Sequence, residues 1–522
     1  MSQEYDQNNE AATTEGLYWN PFNEYGFASP WAPRLWIVSP GVNYLISTSI
    51  TLLIAAVFIV VCPACRHWCL IPLVLCGILA GADIIAWLRK EMDTFDPKAI
   101  IAGLFYLNCL LAPLLHLTYN MYGKDIYTDN WPIWFGYMAC FNAAGIMLFK
   151  LAHNLFFKVS RPVKGFWQVA IDRFSGILIP ILAISFIASA VVKILFSGLV
   201  KEAGIPAGAR GYAAHLSWLL MLGDPSIMLL IMALIYWIYR SHPDKLSSRW
   251  TVWSIIAVTM VFQFLLLGLR GSRSAVLSVV IIVAVVAHYW LRSFSIKFIV
   301  VGICLTFLFV YFYGFYKRFG AKGWEAIYSS QARESMSHEV EGGATLTGTV
   351  LGNLARADLQ AFMLYRLREL KGTFQPVHGQ TYMTSALTFI PRAIWSTKPS
   401  GVKTRAGTEI QGYSGAETSS RVYGLAGEAM LNFSYYGILP AYFVFGCFLG
   451  WFRKKIATME PSDSRFFLVP LLILTFMFAV TGDSDNWMFG LLKMGVLPFI
   501  VVFLGSIRSR FVPASDHVGV SG

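Results

Sequence analysis

The feature that most constrains this chain is recurrence: apolar runs of membrane length return twelve times. They lie near 43–62, 69–88, 99–119, 131–152, 174–195, 222–240, 251–269, 275–291, 298–316, 434–451, 466–481 and 488–506. About 20 apolar residues carry a helix across a bilayer, and a helix is favoured there because it satisfies its own backbone hydrogen bonds away from water. The pattern predicts an all-α polytopic membrane protein with about 12 transmembrane helices. With 56% hydrophobic and only 13% charged residues, the chain lies outside the range of soluble domains.

The loops orient these spans. Arg89 with Lys90, then Lys158, Arg161, Lys164 and Arg173, then Arg240, Lys245 and Arg249 make every second loop basic. Arg292 with Lys297, Arg453 with Lys454 and Lys455, and Arg508 with Arg510 continue the alternation. Basic loops stay cytoplasmic, so both termini are expected in the cytoplasm. The formal charge of +12 is then mostly topological. No basic cluster stands beside a nucleic-acid-binding motif, and no nucleic-acid partner is expected. The polar, acidic start (Glu4, Asp6, Glu10, Glu15) lacks the basic, early-apolar form of a signal peptide. The expected organisation is a cytoplasmic segment 1–42, spans one to nine over 43–316, a large extracytoplasmic loop 317–432, spans ten to twelve over 433–506 and a cytoplasmic tail 507–522.

The long loop is where chemistry is expected. It interleaves Arg356, Asp358, His378, Arg392, Lys398, Arg405, Glu417, Arg421 and Glu428 with Gly, Pro and aromatic residues. Leu346, Val350, Leu354, Ala357, Ala361 and Tyr365 recur at helical spacing and predict one amphipathic helix. Gly379 to Ile394 and the stretch to Gly427 predict short helices and irregular backbone. Three other segments share the outer face, among them the turn Gly268 to Ala275 with Arg270 and Arg273. Two guanidinium groups at a helix start offer forks and free N–H groups to a phosphate, although arginines there also snorkel to lipid headgroups. Arg392 and Lys398 sit in apolar surroundings and require anionic partners, a substrate or acidic lipid. Glu428 enters the bilayer edge, which calls for either catalysis or a salt bridge.

Other signals are weaker. Asp483 and Asp485 form a DxD, a pair that elsewhere holds metal and nucleotide diphosphate and that also arises by chance in polar loops. His378, His338 and His215 lie on the outer side, where a histidine is more often structural than basic. Asp83, His116, Lys193 and Lys493 fall in or near spans, as a proton relay or, more simply, as contacts within the bundle. Cys62, Cys65 and Cys69 have CxxC-like spacing that suits a disulfide or incidental use better than metal, since with one neighbouring His67 they make a poor zinc set. No Walker A, dinucleotide or nucleophile motif is present. No metal site and no cofactor are expected.

Read in order, several short motifs resemble the bacterial O-antigen polymerases, also called oligosaccharide repeat-unit polymerases. They are Gly271-Ser272-Arg273, Arg356-x-Asp358, Gly379-Gln380-Thr381-Tyr382, Ile390-Pro391-Arg392 with Lys398-Pro399, and Gly427-Glu428 with Asn432 and Gly437. The likeness covers about 265 to 455; the first half is similar only in hydropathy and topology. The resemblance implies a GT-C type glycosyltransferase of the bacterial inner membrane, metal-independent, acting on undecaprenyl-pyrophosphate-linked glycan as donor and acceptor. It implies membrane lipids, a chain-length regulator and a flippase as partners. In this reading Arg273, Arg392 and Arg421, with Arg270 and Lys398, clamp the pyrophosphate leaving group. Glu428 or Asp358 orients or deprotonates the acceptor hydroxyl. Arg356, His378, Arg405 and Glu417 are further candidates, and the stretch Gly412 to Gly424 has no counterpart in the family pattern. An O-antigen ligase-type transferase, and a non-enzymatic transporter or flippase coupled through Asp83 and Lys493, are the alternatives. Essential charges gathered on the outer face, rather than at mid-membrane, favour the enzyme.

Overall fold

A computed structural model describes residues 40–123, 126–157, 165–202, 217–241, 248–266, 273–291, 294–319, 323, 325–337, 346–353, 355–370, 372, 374–390, 395, 397–399, 401–412, 421–457, 459 and 463–510. The chain is an all-α polytopic membrane protein. Among the described residues ten helices are long and apolar enough to cross a membrane, and two shorter apolar helices, Trp250–Gln263 and Leu277–Trp290, fall at the seventh and eighth expected spans. Both of those runs adjoin 267–272, outside the described residues.

The first stretch of the chain forms α1 (Pro40–Val61), α2 (Leu70–Leu88), α3 (Pro97–Tyr119, with a π turn at Leu107–Leu111) and α4 (Trp131–Phe157). The strand β1 (Gly165–Val169) leads into α5 (Ile171–Glu202), then α6 (Ser217–Gly223), α7 (Ser226–Ser241), α8 (Arg249–Leu266), α9 (Arg273–Trp290) and α10 (Ile296–Phe319). After two short helices come α11 (Leu346–Asn353), α12 (Ala357–Glu369), α13 (Gln380–Ala386), α14 (Val402–Gln411) and α15 (Gly424–Phe433). The last stretch is α16 (Ile438–Ala457), α17 (Val469–Thr481), α18 (Ser484–Gly505) and β2 (Ser506–Arg510). Sequence periodicity did not announce the strands. β2 pairs antiparallel with β1, Val169 opposite Ser506 and Gly165 opposite Arg510, and so fastens the end of α18 to the start of α5.

Two apolar cores build the bundle. One joins α2, α3 and α4 to α12, α14, α15 and α16; the other joins α5 and α7–α9 to α17 and α18. Phe476 of α17 packs on both. The segments 346–433 therefore share a core with the membrane-length helices rather than standing apart. The tightest seam is between α4 and α16. A Cβ on Gly450 would lie 2.5 Å from the His153 carbonyl oxygen, and one on Gly446 would meet the Phe149 carbonyl. This is the small-xxx-small device that lets helices touch where lipid removes the hydrophobic drive. At one end of the same helices, Asp83 accepts Lys98 and Lys150 at 3.0 Å each, while Arg453 pairs with Asp96 and reaches His153 at 2.9 Å. These pairs tie α2, α3, α4 and α16 together.

Two expectations change. The single amphipathic helix over 346–365 is two helices, α11 and α12, separated at Ala355 and Arg356. The break is held from outside: Asn108 of the π turn accepts the Arg356 backbone N–H at 3.0 Å, and Arg356 Nε donates to the Thr481 carbonyl at 3.2 Å. The tenth span begins earlier than expected, as α15, and is bent by a 3-10 turn at Ser434–Gly437 before α16. Ser434 takes φ +57°, and a Cβ on Gly437 would lie 2.7 Å from the Ala429 carbonyl.

Candidate active site

The bend leaves α15 as a short buried helix on which Glu428 and Asn432 lie one turn apart and face α13. Gly379, at φ +83°, starts α13 and turns Thr381 toward them. Thr381 Oγ1 donates to Glu428 Oε1 at 2.7 Å, and Asn432 Nδ2 donates to Thr381 Oγ1 at 2.6 Å and to the Glu428 carbonyl at 2.9 Å. Backbone bonds from Val377 and His378 to the Leu431 and Asn432 carbonyls close this junction. Two sequence motifs some fifty residues apart thus meet at one carboxylate.

The third wall is the turn between α17 and α18. The Ser484 backbone N–H donates to Glu428 Oε2 at 2.6 Å, and the Ser484 hydroxyl donates to Oε1. Glu428, only 4% exposed, therefore sits at the N-terminus of a 22-residue helix, where free N–H groups and the helix dipole favour an anion. Asp483, 1% exposed, accepts the Tyr423 and Gly424 N–H groups at 2.7 and 3.1 Å. Gly424 is required there: its φ is +70°, and a Cβ would lie 2.7 Å from the Val480 carbonyl.

Lys403 of α14 bridges Asp483 at 3.0 Å and Asp485 at 2.9 Å. Burial alone would lower its pKa, but the two carboxylates outweigh burial and raise it. Burial pushes the Asp483 carboxyl above its usual range despite that partner. The phenol of Tyr382 is driven up by burial and by the nearby Glu428 and Asp483 charges.

These groups enclose a cavity of about 240 Å³, smaller than the roughly 300–1,000 Å³ of whole-ligand pockets, so it suits one end of a larger molecule. Thr381, Thr384, Ser385 and Thr388 form one side; Lys398, Lys403 and Thr404 form the other, with Glu428 and Asp485 between. A buried carboxylate opening on a hydroxyl-lined cavity can bind sugar-like hydroxyl groups and take a proton from one of them.

The other candidates fall at varied distances from this centre. Lys398 lines the cavity, its Nζ donating to the Leu387 and Ile390 carbonyls at 3.2 and 2.9 Å. Asp358 lies elsewhere: it accepts the Gly123 N–H at 2.8 Å and the Leu359 N–H at 2.8 Å, with His116 Nε2 at 3.8 Å. Arg421 stands beside Gly123 and Asp358, since a Cβ on Gly123 would lie 2.8 Å from its NH1. Arg356 links α12 to the end of α17, and Arg405 and His378 are exposed. Arg273 opens α9, whose described packing is against α7, α8, α10 and α17. Arg270, Arg392 and Glu417, and the histidines His215 and His338, lie outside the described residues, as does the side chain of Arg273. Asp483 and Asp485 hold an ammonium group where the DxD reading placed a cation. Cys62, Cys65 and Cys69 are buried free thiols.

Sequence reasoning passed over Lys403, Ser385 and Ser484, and it weighed Asp483 only as a metal ligand. The signal for Lys403 was faint: a lysine one residue inside a helix that starts after Gly401. Thr381 stood in a quoted motif without a role.

Fold and site together define a polytopic all-α membrane protein with a buried carboxylate at the floor of a polar cavity. Comparisons with family models, curated proteins and solved structures find no match for this chain.

Proposed function

We propose that this protein is a membrane glycosyltransferase that polymerises undecaprenyl-pyrophosphate-linked oligosaccharide repeat units into a surface polysaccharide. On this reading it has twelve spans of GT-C type in the bacterial inner membrane, with 317–432 on the outer face. The observation that carries it is Glu428: a carboxylate 4% exposed, held by three donors, at the floor of a hydroxyl-lined cavity. Burying such a group at a membrane-length helix is costly unless it is used or paired, and its partners here are neutral. The motifs that give the resemblance supply Glu428, Asn432, Thr381 and Lys398, and these converge.

In the reaction, Glu428 accepts the proton of the acceptor hydroxyl as that oxygen bonds to the anomeric carbon of the donor glycan. The bond from that carbon to the pyrophosphate oxygen breaks, and its electron pair leaves with the pyrophosphate. Asp358 is the poorer candidate, because it does not line the cavity and holds the Gly123 and Leu359 N–H groups instead. The test is purified protein with a synthetic undecaprenyl-pyrophosphate repeat unit: a ladder of products supports the reading, and unchanged substrate contradicts it.

One observation favours the carrier reading. Lys493 of α18 pairs with Asp224, which is 3% exposed at the break between α6 and α7, and an ion pair within spans marks a coupling site in transporters.

A further inference from the structure

The hydrogen-bonding sense of the cavity says which portion of a substrate it takes. Thr384 Oγ1 donates to the Gln380 and Thr381 carbonyls at 3.0 and 2.9 Å, Ser385 Oγ to the Thr381 carbonyl at 2.8 Å, and Thr388 Oγ1 to the Thr384 carbonyl at 3.3 Å. Thr381 gives its proton to Glu428. These hydroxyl protons are committed to the helix and to the carboxylate, so what the oxygens turn to the cavity is lone pairs. Each of the two ammonium groups already has two acceptors: Lys403 lies between Asp483 and Asp485, and Lys398 rests on two carbonyls. Among the described residues, the wall itself carries two carboxylates (Glu428, Asp485) and two lysines (Lys398, Lys403), and behind it Asp483 lies against Lys403 and the buried Arg356.

A pyrophosphate needs donors and positive charge. This wall offers mostly acceptors, and its two ammonium groups are matched by two carboxylates, so it holds no excess positive charge for an anion. A saccharide, whose hydroxyl groups donate as well as accept, is the complementary ligand. We infer that the cavity is the subsite for the acceptor saccharide, bound through its hydroxyl protons, and that the donor's pyrophosphate lies outside it. The inference rests on the transferase reading for the word acceptor, but the chemistry of the cavity can be read without turnover.

The experiment uses the full-length protein with Cys140, Cys304 and Cys447 replaced by serine, since the other five cysteines are buried. Thr384→Cys or Thr388→Cys is added and labelled with methanethiosulfonate reagents that differ only in carrying a cationic or an anionic head. After correction for their rates with a free thiol, the anionic reagent should gain no advantage at either position, and 20 mM inorganic pyrophosphate should not slow labelling by either. Faster reaction with the anionic reagent, or protection by pyrophosphate, overturns the inference. Two positions guard against one variant failing to fold. A product ladder together with anionic preference or pyrophosphate protection would keep the transferase and remove the subsite; neither of these two effects, and no ladder, would do the reverse.

Discussion

Glu428 receives Thr381, the Ser484 hydroxyl and the Ser484 N–H, so its orientation is fixed before any substrate arrives. Glu428→Gln keeps the volume and removes the base. Chain elongation should fall by about 10²- to 10⁴-fold with little change in thermal unfolding; elongation within a fewfold of wild type would remove Glu428 from the chemistry. Lys403 is a different case. Lys403→Met leaves the Asp483 carboxylate buried without its cation and should cost about 3–5 kcal/mol, much of it returned by adding Asp483→Asn. Equal stability of the single and double variants would mean that the pair carries no coupling. The raised Lys403 pKa sets the sign of the pH effect: the stabilisation is fully present below 10.5, the ordinary lysine value, and is lost as pH rises through the raised value. Lys403→Met should flatten that region of a melting-temperature profile.

At the scale of elements, close backbone approach that only small residues permit holds helices together, as where Gly424 at the start of α15 meets the Val480 carbonyl of α17. The α4–α16 seam is the clearest instance. Gly450→Val must push α4 and α16 apart and should lower stability by at least about 1–3 kcal/mol, whereas Gly302→Val, on α10 with nothing within 4 Å, should be nearly silent. Equal effects would show that the seam is not under packing constraint. This scale also shows where sequence reading stops. Apolar runs and basic loops locate the membrane-length helices because each signal is local. The break at Arg356 is not local: Asn108 and Thr481, far away in the chain, hold a helical period apart that the sequence writes as continuous. Glu428 was legible as a carboxylate in an apolar run. Its partners Ser484 and Lys403 were not, because hydroxyls and lysines are common and only the fold selects these two. Of the arginines in the expected clamp, Arg421 alone has a side chain among the described residues, while Lys398 lines the cavity. Arg421 turns to the Gly123 loop, and the exposed Arg405 lies on α14.

For the whole molecule, the two cores separate two kinds of charge. Glu428, Asp483 and Lys403 gather at a cavity where α13, α14, α15 and the α17–α18 turn meet, whereas Lys493 and Asp224 pair within the helices of the other core. A carrier coupled through that pair would lose function when both charges are removed. A transferase should keep it: Lys493→Met with Asp224→Asn should still elongate glycan, while Lys493→Met alone should be destabilised by loss of the cation beside the buried aspartate. The measurement that bears most directly on the central claim is elongation by the purified chain in lipid, given a synthetic undecaprenyl-pyrophosphate repeat unit and compared with its Glu428→Gln variant. The account predicts a ladder from the wild-type chain and only starting material, or a trace of dimer, from the variant. A ladder of equal length from both, or none from a folded wild-type protein, would contradict it.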